Sequence, residues 1–355
     1  MKQQKNILIG LLCTIAVGSQ FCSGKESISP VTSTTTTTTT SDAPVLPTTP
    51  YNYSPAFPAH IAAALGPNDN TPATNAITDN GATLGRVLFY DKALSKTNTV
   101  SCASCHQPTL SFSDSAVKSK GFAGGLTKRH SMPLLNVRFY RSGKMFWDER
   151  ANTLEEQVLM PIQDLTEMGL TLDELQQKVA AKSYYPALFE KAFGSTQITT
   201  DRISRALAQF VRSIVTTQSK YDQVKQGLAT FTPDERDGEQ LFLNAGTITC
   251  GACHTPPMFI TSAPQAPFAL LDPTDLGINN QNRFKSSSLR NIANTAPYFH
   301  NGTIASLDVM LSGVNGNPIP QHTIAPQDRA RMLAFLQSLT DQTTLAEPRF
   351  SNPFR

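Results

Sequence analysis

Cysteine is scarce in this chain, six among 355 residues, and tryptophan occurs once, at Trp147. Charge of one sign is also lacking: the formal net charge is +3 and no basic run stands out, so the footprint of a nucleic-acid binder is absent and no nucleic acid is expected. No long hydrophobic run is present. The one apolar stretch, Ile7 to Val17, covers eleven positions, whereas a spanning helix needs about 20. Lys2 and Lys5 precede it and small and polar residues follow, which is the layout of an export signal. Strand signals are nearly missing as well.

What the chain does contain is placed with purpose. Four of the six cysteines fall in Cys102-Ala103-Ser104-Cys105-His106 and Cys250-Gly251-Ala252-Cys253-His254, two C-x-x-C-H motifs 148 positions apart. Two thiols at this spacing can each add across a haem vinyl group, and the histidine that follows can bind the iron from beneath the ring. A single copy could also be half of a zinc site or a redox dithiol. The remaining cysteines, Cys13 and Cys22, lie inside or at the end of the export signal. No thiol is left for a disulfide or a third ligand pair, so two covalently attached haem c groups are expected, with His106 and His254 as their proximal ligands.

Residues 1–22 are read as an export signal of lipoprotein type, with Cys22 as the lipid-accepting residue and hence a tether to a membrane. Ser19-Gln20-Phe21 departs from the usual small-residue approach to such a cysteine. The alternative is ordinary cleavage nearby, which leaves Cys22 as a free thiol. Residues 23–50, rich in Ser, Thr and Pro, are expected to be a disordered tether. Covalent haem attachment also implies assembly outside the cytoplasm, so both lines place the protein in the periplasm.

Helix signals dominate the rest. Ile203, Ala206, Leu207, Phe210, Val211 and Ile214 recur at the spacing of one buried helical face, with Thr200 as the expected cap. Thr232-Pro233-Asp234-Glu235 forms a capping box opening a helix toward Phe242 and the second motif. A further helix is expected from about Pro326 to Leu339. The fold class is therefore mainly α, with two cytochrome c-like domains, 51–217 and 218–345, each carrying one haem, and a C-terminal tail over 346–355.

The stretch between the motifs carries a resemblance. Lys144-Met145-Phe146-Trp147-Asp148-Glu149-Arg150-Ala151, then Leu154-Glu155-Glu156-Gln157, Pro161-Ile162 and Glu167-Met168-Gly169 resemble the bacterial dihaem cytochrome c peroxidase family, which includes the methylamine-utilisation dihaem enzymes. Ala296-Pro297-Tyr298-Phe299-His300-Asn301-Gly302 extends the likeness beyond the second motif. The resemblance implies that Trp147 lies between the haems and helps electrons pass, and that Gln157 and Glu167 line the distal pocket of the first haem. Splitting the O–O bond of peroxide needs a base that takes a proton from one oxygen and returns it to the other; Glu167 would do so while Gln157 orients the substrate.

The family's closing histidine, seven positions before the matching Arg129, is replaced here by Phe122, which implies an open first haem. His130 stands where the family has a calcium-binding asparagine. Calcium prefers oxygen ligands, so a calcium site on Thr295 and Pro297 carbonyls is weakened, and His130 is expected to meet a haem propionate rather than iron. Met310 is the candidate sixth ligand of the second haem, with His322 or no ligand as rivals. His300 is expected to support the second haem without binding iron, and His60 to be a surface histidine without a partner. The implied activity is reduction of hydrogen peroxide to water by electrons from a small redox protein, a cytochrome c or a cupredoxin, entering at the second haem. Alternatives are a dihaem enzyme that oxidises a partner protein through Trp147, and a non-catalytic dihaem electron carrier. Homodimers are common in the family.

Overall fold

One local device is used twice. The Asp79–Tyr90 helix begins at Thr78, whose hydroxyl accepts a hydrogen bond from the Gly81 N–H at 3.0 Å. It crosses the Thr200–Ser213 helix at Gly85, where an added Cβ would lie 1.9 Å from the Ala206 carbonyl oxygen. Only a hydrogen fits there. In the second half the Pro233–Asn244 helix crosses the Pro326–Ser338 helix at Gly238, where a Cβ would meet the Arg331 carbonyl oxygen at 2.1 Å. Each of these glycine-bearing helices runs toward a short motif helix, Cys102–Cys105 or Cys250–Cys253.

This computed structural model describes residues 43–244, 250–260, 274–314, 319 and 322–354. The export signal, Cys22 and the tether up to residue 42 lie outside the described residues. Among the described residues the only β pairings are isolated bridges, and no helix is long and apolar enough to cross a membrane.

Two buried apolar clusters occupy the two motif-bearing halves. The first gathers Phe89, Phe112, Ile203, Leu207, Phe210 and their neighbours, with Cys102 packed against it. The second gathers Tyr221, Phe242, Phe259, Phe335 and Leu339, with Cys250 packed against it. Of the expected helix faces, Ile203, Ala206, Leu207, Phe210 and Val211 are buried in one and Met332, Phe335, Leu336 and Leu339 in the other, while Leu333 is only partly buried. The Thr232–Glu235 capping box forms in both directions, at 2.7 and 3.2 Å. The cap of the Thr200–Ser213 helix is Thr199 rather than Thr200; its hydroxyl accepts from the Arg202 N–H.

The tail over 346–355 is anchored: Phe350 is fully buried in the first cluster, edge-on to Phe112 at 6.3 Å, and Tyr90 donates its hydroxyl to the Phe350 carbonyl. His60 has a partner, because its Nε2 lies 2.9 Å from Asp222 Oδ1. Asp222 and Arg290 are both fully buried and paired, and Arg290 also donates to the Pro257 and Thr216 carbonyls. This clamp ties the segment joining the two halves to the loop behind the second motif.

Candidate functional site

Each motif ends in a histidine held at its ring Nδ1, and for His106 the partner fixes the tautomer. His106 Nδ1 lies 3.0 Å from the Phe112 carbonyl; a carbonyl only accepts, so Nδ1 carries the proton and Nε2 keeps its lone pair. His254 Nδ1 lies 3.3 Å from the Ser286 hydroxyl. Burial lowers the pKa of both imidazoles, and His322 beside His254 helps push the latter down to about 3. Both are therefore neutral, as iron ligation requires.

Burial pushes Cys102 up to about 12 and Cys105 up to about 11, and raises Cys250 as well. Thiol exchange uses the thiolate, which burial disfavours at these three positions. Among the described residues, no three His, Cys, Asp or Glu side chains are arranged to hold a metal ion. Two cysteines beside a neutral imidazole fit thioether attachment of haem.

Around the second motif the chain forms a largely apolar cavity. Cys250, Cys253 and His254 open onto it, with Phe242, Leu289, Met332 and Leu336 among its apolar walls. Met310 and His322 both line it, as do Thr295, Pro297, His130 and His300. The two sixth-ligand candidates thus share one space with His254. His300 stacks on Phe284 with ring centroids 3.7 Å apart.

Glu167 lies beside the first motif, close enough for its charge to act on both Cys102 and Cys105. Burial raises its carboxyl above the usual range, the Asp164 charge adds to this, and Arg150 partly offsets it. Its carbonyl accepts from the Phe122 N–H at 2.9 Å. Phe122 in turn packs where a side chain on Gly169 would collide, 2.4 Å from its ring. Phe122 is thereby fixed to the loop that carries Glu167. Gln157 ends the short Leu154–Gln157 helix, which Thr153 caps and whose Glu155 pairs with the buried Arg212. Burial works against ionisation of Glu155, but the Arg212 hydrogen bonds outweigh it and lower its pKa.

Trp147 lines the second-motif cavity and donates its indole N–H to the His130 carbonyl at 2.8 Å. His130 itself donates its backbone N–H to the His300 carbonyl at 2.7 Å. Its ring meets the Ala116 carbonyl at 3.0 Å and the Ser113 hydroxyl at 3.4 Å, next to the Phe112 carbonyl that orients His106. Arg129 holds the Trp147 segment from the side, pairing with Asp148 and Asp275, both at 2.6 Å.

Comparison with known proteins follows the same lines. Residues 79–230 match the family model described as di-haem cytochrome c peroxidase. The methylamine utilization protein MauG of Methylorubrum extorquens is 32% identical over 289 residues, covering 76% of this chain and 80% of that protein. The chain belongs to the di-haem cytochrome c peroxidase family. A second relative within it, cytochrome c551 peroxidase of Nitrosomonas europaea, is also 32% identical, over 82% of this chain and 89% of its own. The fold agrees. A MauG-like protein associated with microbial copper homeostasis superposes with a TM-score of 0.72 at 28% identity, over 82% of this chain and 98% of its own. The diheme peroxidase BthA of Burkholderia thailandensis shares the fold with a TM-score of 0.64 at 23% identity, over 79% of this chain and 90% of its own. The chain is thus a mainly helical member of the family with two cytochrome c-like halves and a haem c site in each.

Lys285, Ser286 and Phe284 carried no signal in the sequence. They are brought to the second site by the fold, and nothing in a run such as Lys285-Ser286-Ser287-Ser288 marks the serine that faces His254.

Proposed function

We propose that this chain is a periplasmic peroxidase that reduces hydrogen peroxide to water with electrons from a small cytochrome c or cupredoxin. The observation that carries this reading is a half-buried carboxyl, Glu167, placed beside the first motif with its pKa raised. Held by His106 and His254, haem would supply the redox chemistry at the first site and the storage of an electron at the second. Glu167 takes a proton from one peroxide oxygen and returns it to the other, which leaves as water, and a raised pKa suits a group that must do both. Gln157 orients peroxide or water by hydrogen bonding. Residues 51–217 form the peroxidatic domain and 218–345 the electron-transfer domain, where Met310, with His322 as its rival, would serve as a further ligand to the iron. Electrons enter at the second haem and pass by way of Trp147, whose link to His130, and from there through Ser113 to the His106 side, supports that route.

Glu167→Gln is expected to lower peroxide turnover sharply while both haems stay attached. Unchanged turnover would remove Glu167 from the mechanism. Phe122 in place of a closing histidine implies an open first iron, seen as a high-spin ferric signal in the electron paramagnetic resonance spectrum of the fully oxidised protein and consumed by added peroxide. Only low-spin signals, indifferent to peroxide before and after one-electron reduction, would favour an electron carrier instead.

A second reading is oxidation of a partner protein through Trp147, which lines the second-motif cavity and is tied to the His130 carbonyl. It predicts an oxidised state that outlives the added peroxide when no donor is supplied. Rapid decay of that state without donor would return the reading to peroxide reduction.

A further inference from the structure

Lys285 is 4% exposed and has no role in the chemistry above. Its ammonium donates to the Lys144 carbonyl at 3.0 Å, touches the Met145 sulfur at 3.5 Å and stands 3.7 Å from the centre of the Tyr140 ring. Its own backbone N–H donates to the Trp147 carbonyl at 2.7 Å. The residue thus grips the 144–147 strap at two points. It also lines the cavity shared by Cys250, Cys253 and His254, one position before the serine that faces His254.

We propose that Lys285 is a positioning residue for the second haem: its buried ammonium, fixed on the Trp147 strap, raises that haem's reduction potential. A cation in a low-dielectric wall favours the reduced iron, which carries one positive charge fewer than the oxidised. Carbonyl, sulfur and ring face all accept the ammonium without neutralising it. Around it stand Tyr140, kept neutral by burial, and Glu149, whose field draws the proton back. Asp148 is taken up by Arg129 and Arg150, and His300 stacks on Phe284. Burial pushes the ammonium down to about 7, with Glu149 opposing, so its charge fades as pH rises through neutrality. The potential of the second haem falls with it.

The test is a spectroelectrochemical titration of the holoprotein, followed at the second haem, for wild type, Lys285→Met and Lys285→Arg. Methionine keeps the length and the backbone N–H but removes the charge. At a fixed ambient potential near neutral pH the ratio of reduced to oxidised second haem is expected to fall roughly tenfold, the order for one buried charge; arginine restores it. A Lys285→Met protein with both haems attached and the wild-type potential overturns the proposal. If that variant does not fold, the wild type decides: a potential that stays flat from about pH 6 to 8 overturns it. Neither readout uses peroxide, so the proposal rests on haem at Cys250–His254 and fails or stands apart from the peroxidase reading.

Discussion

Removing the Asp222 carboxylate should damage this fold more than any surface change. Asp222 and Arg290 side chains are both 0% exposed, and two guanidinium nitrogens reach the two carboxylate oxygens at 2.7 and 2.8 Å. Ser219 adds its N–H and hydroxyl, and His60 closes on the remaining edge. Asp222→Ala leaves a buried guanidinium with only the Pro257 and Thr216 carbonyls to satisfy it. Breaking one side of such a pair costs about 3–5 kcal/mol, set against a total stability on the order of 5–15 kcal/mol. Urea unfolding followed by circular dichroism, with haem content measured on the same samples, gives the value. Replacing both partners together, Asp222→Leu with Arg290→Met, should recover most of the loss, because no unpaired charge remains.

The sign of the pH effect follows from the pair. Burial disfavours the Asp222 anion, but the Arg290 hydrogen bonds and charge, with Ser219 and His60, outweigh it and hold the carboxyl below its ordinary value. The stabilisation is therefore complete above the ordinary carboxylate range and is lost as pH falls through the depressed folded value. Wild type should lose more stability in acid than the double variant. An Asp222→Ala cost within about 0.5 kcal/mol of zero, or a double variant no better than the single, would refute the reasoning.

Other consequences can be checked in the same way. Gly85→Ala and Gly238→Ala each force a methyl against a backbone carbonyl and should cost about 1–3 kcal/mol; wild-type unfolding midpoints would show that the helices can part. Because the Glu167 carboxyl is raised by burial and by Asp164, and must be ionised to accept a proton, kcat/KM for peroxide should rise with pH through a value above the usual glutamate range. That acid limb should vanish in Glu167→Gln, and its persistence would assign it to another group. Trp147→Phe should leave both haems attached but slow electron transfer from the second to the first, measured by flash reduction; an unchanged rate would place the route elsewhere.

What could be read in the sequence was whatever chemistry or periodicity writes locally. C-x-x-C-H is legible because thioether spacing and the following ligand are fixed within five residues. The Thr200–Ser213 and Pro326–Ser338 helices are legible because one apolar face repeats every turn. The Asp79–Tyr90 helix has no such one-sided signature, since it is buried nearly all round and its glycine, usually a weak helix residue, is there for close approach. His60 failed for a related reason: its partner is 162 positions away, and no local pattern announces a contact closed only by tertiary structure.

The sites divide in the same manner. Glu167 and Gln157 could be located only by their offsets from Trp147, because a carboxyl gains its raised pKa from burial, which a sequence does not display. Phe122 was visible as a departure, yet its contact with the Glu167 carbonyl depends on Gly121, where a Cβ would lie 1.7 Å from the Thr166 carbonyl oxygen. Lys285 is the limiting case. A lysine in a serine-rich loop ordinarily points to water, and only the meeting of the Trp147 strap, Tyr140 and the second-motif cavity excludes water from it. The covalent anchors of the cofactors are thus written in the chain, whereas the electrostatics that set how those cofactors work are made by folding.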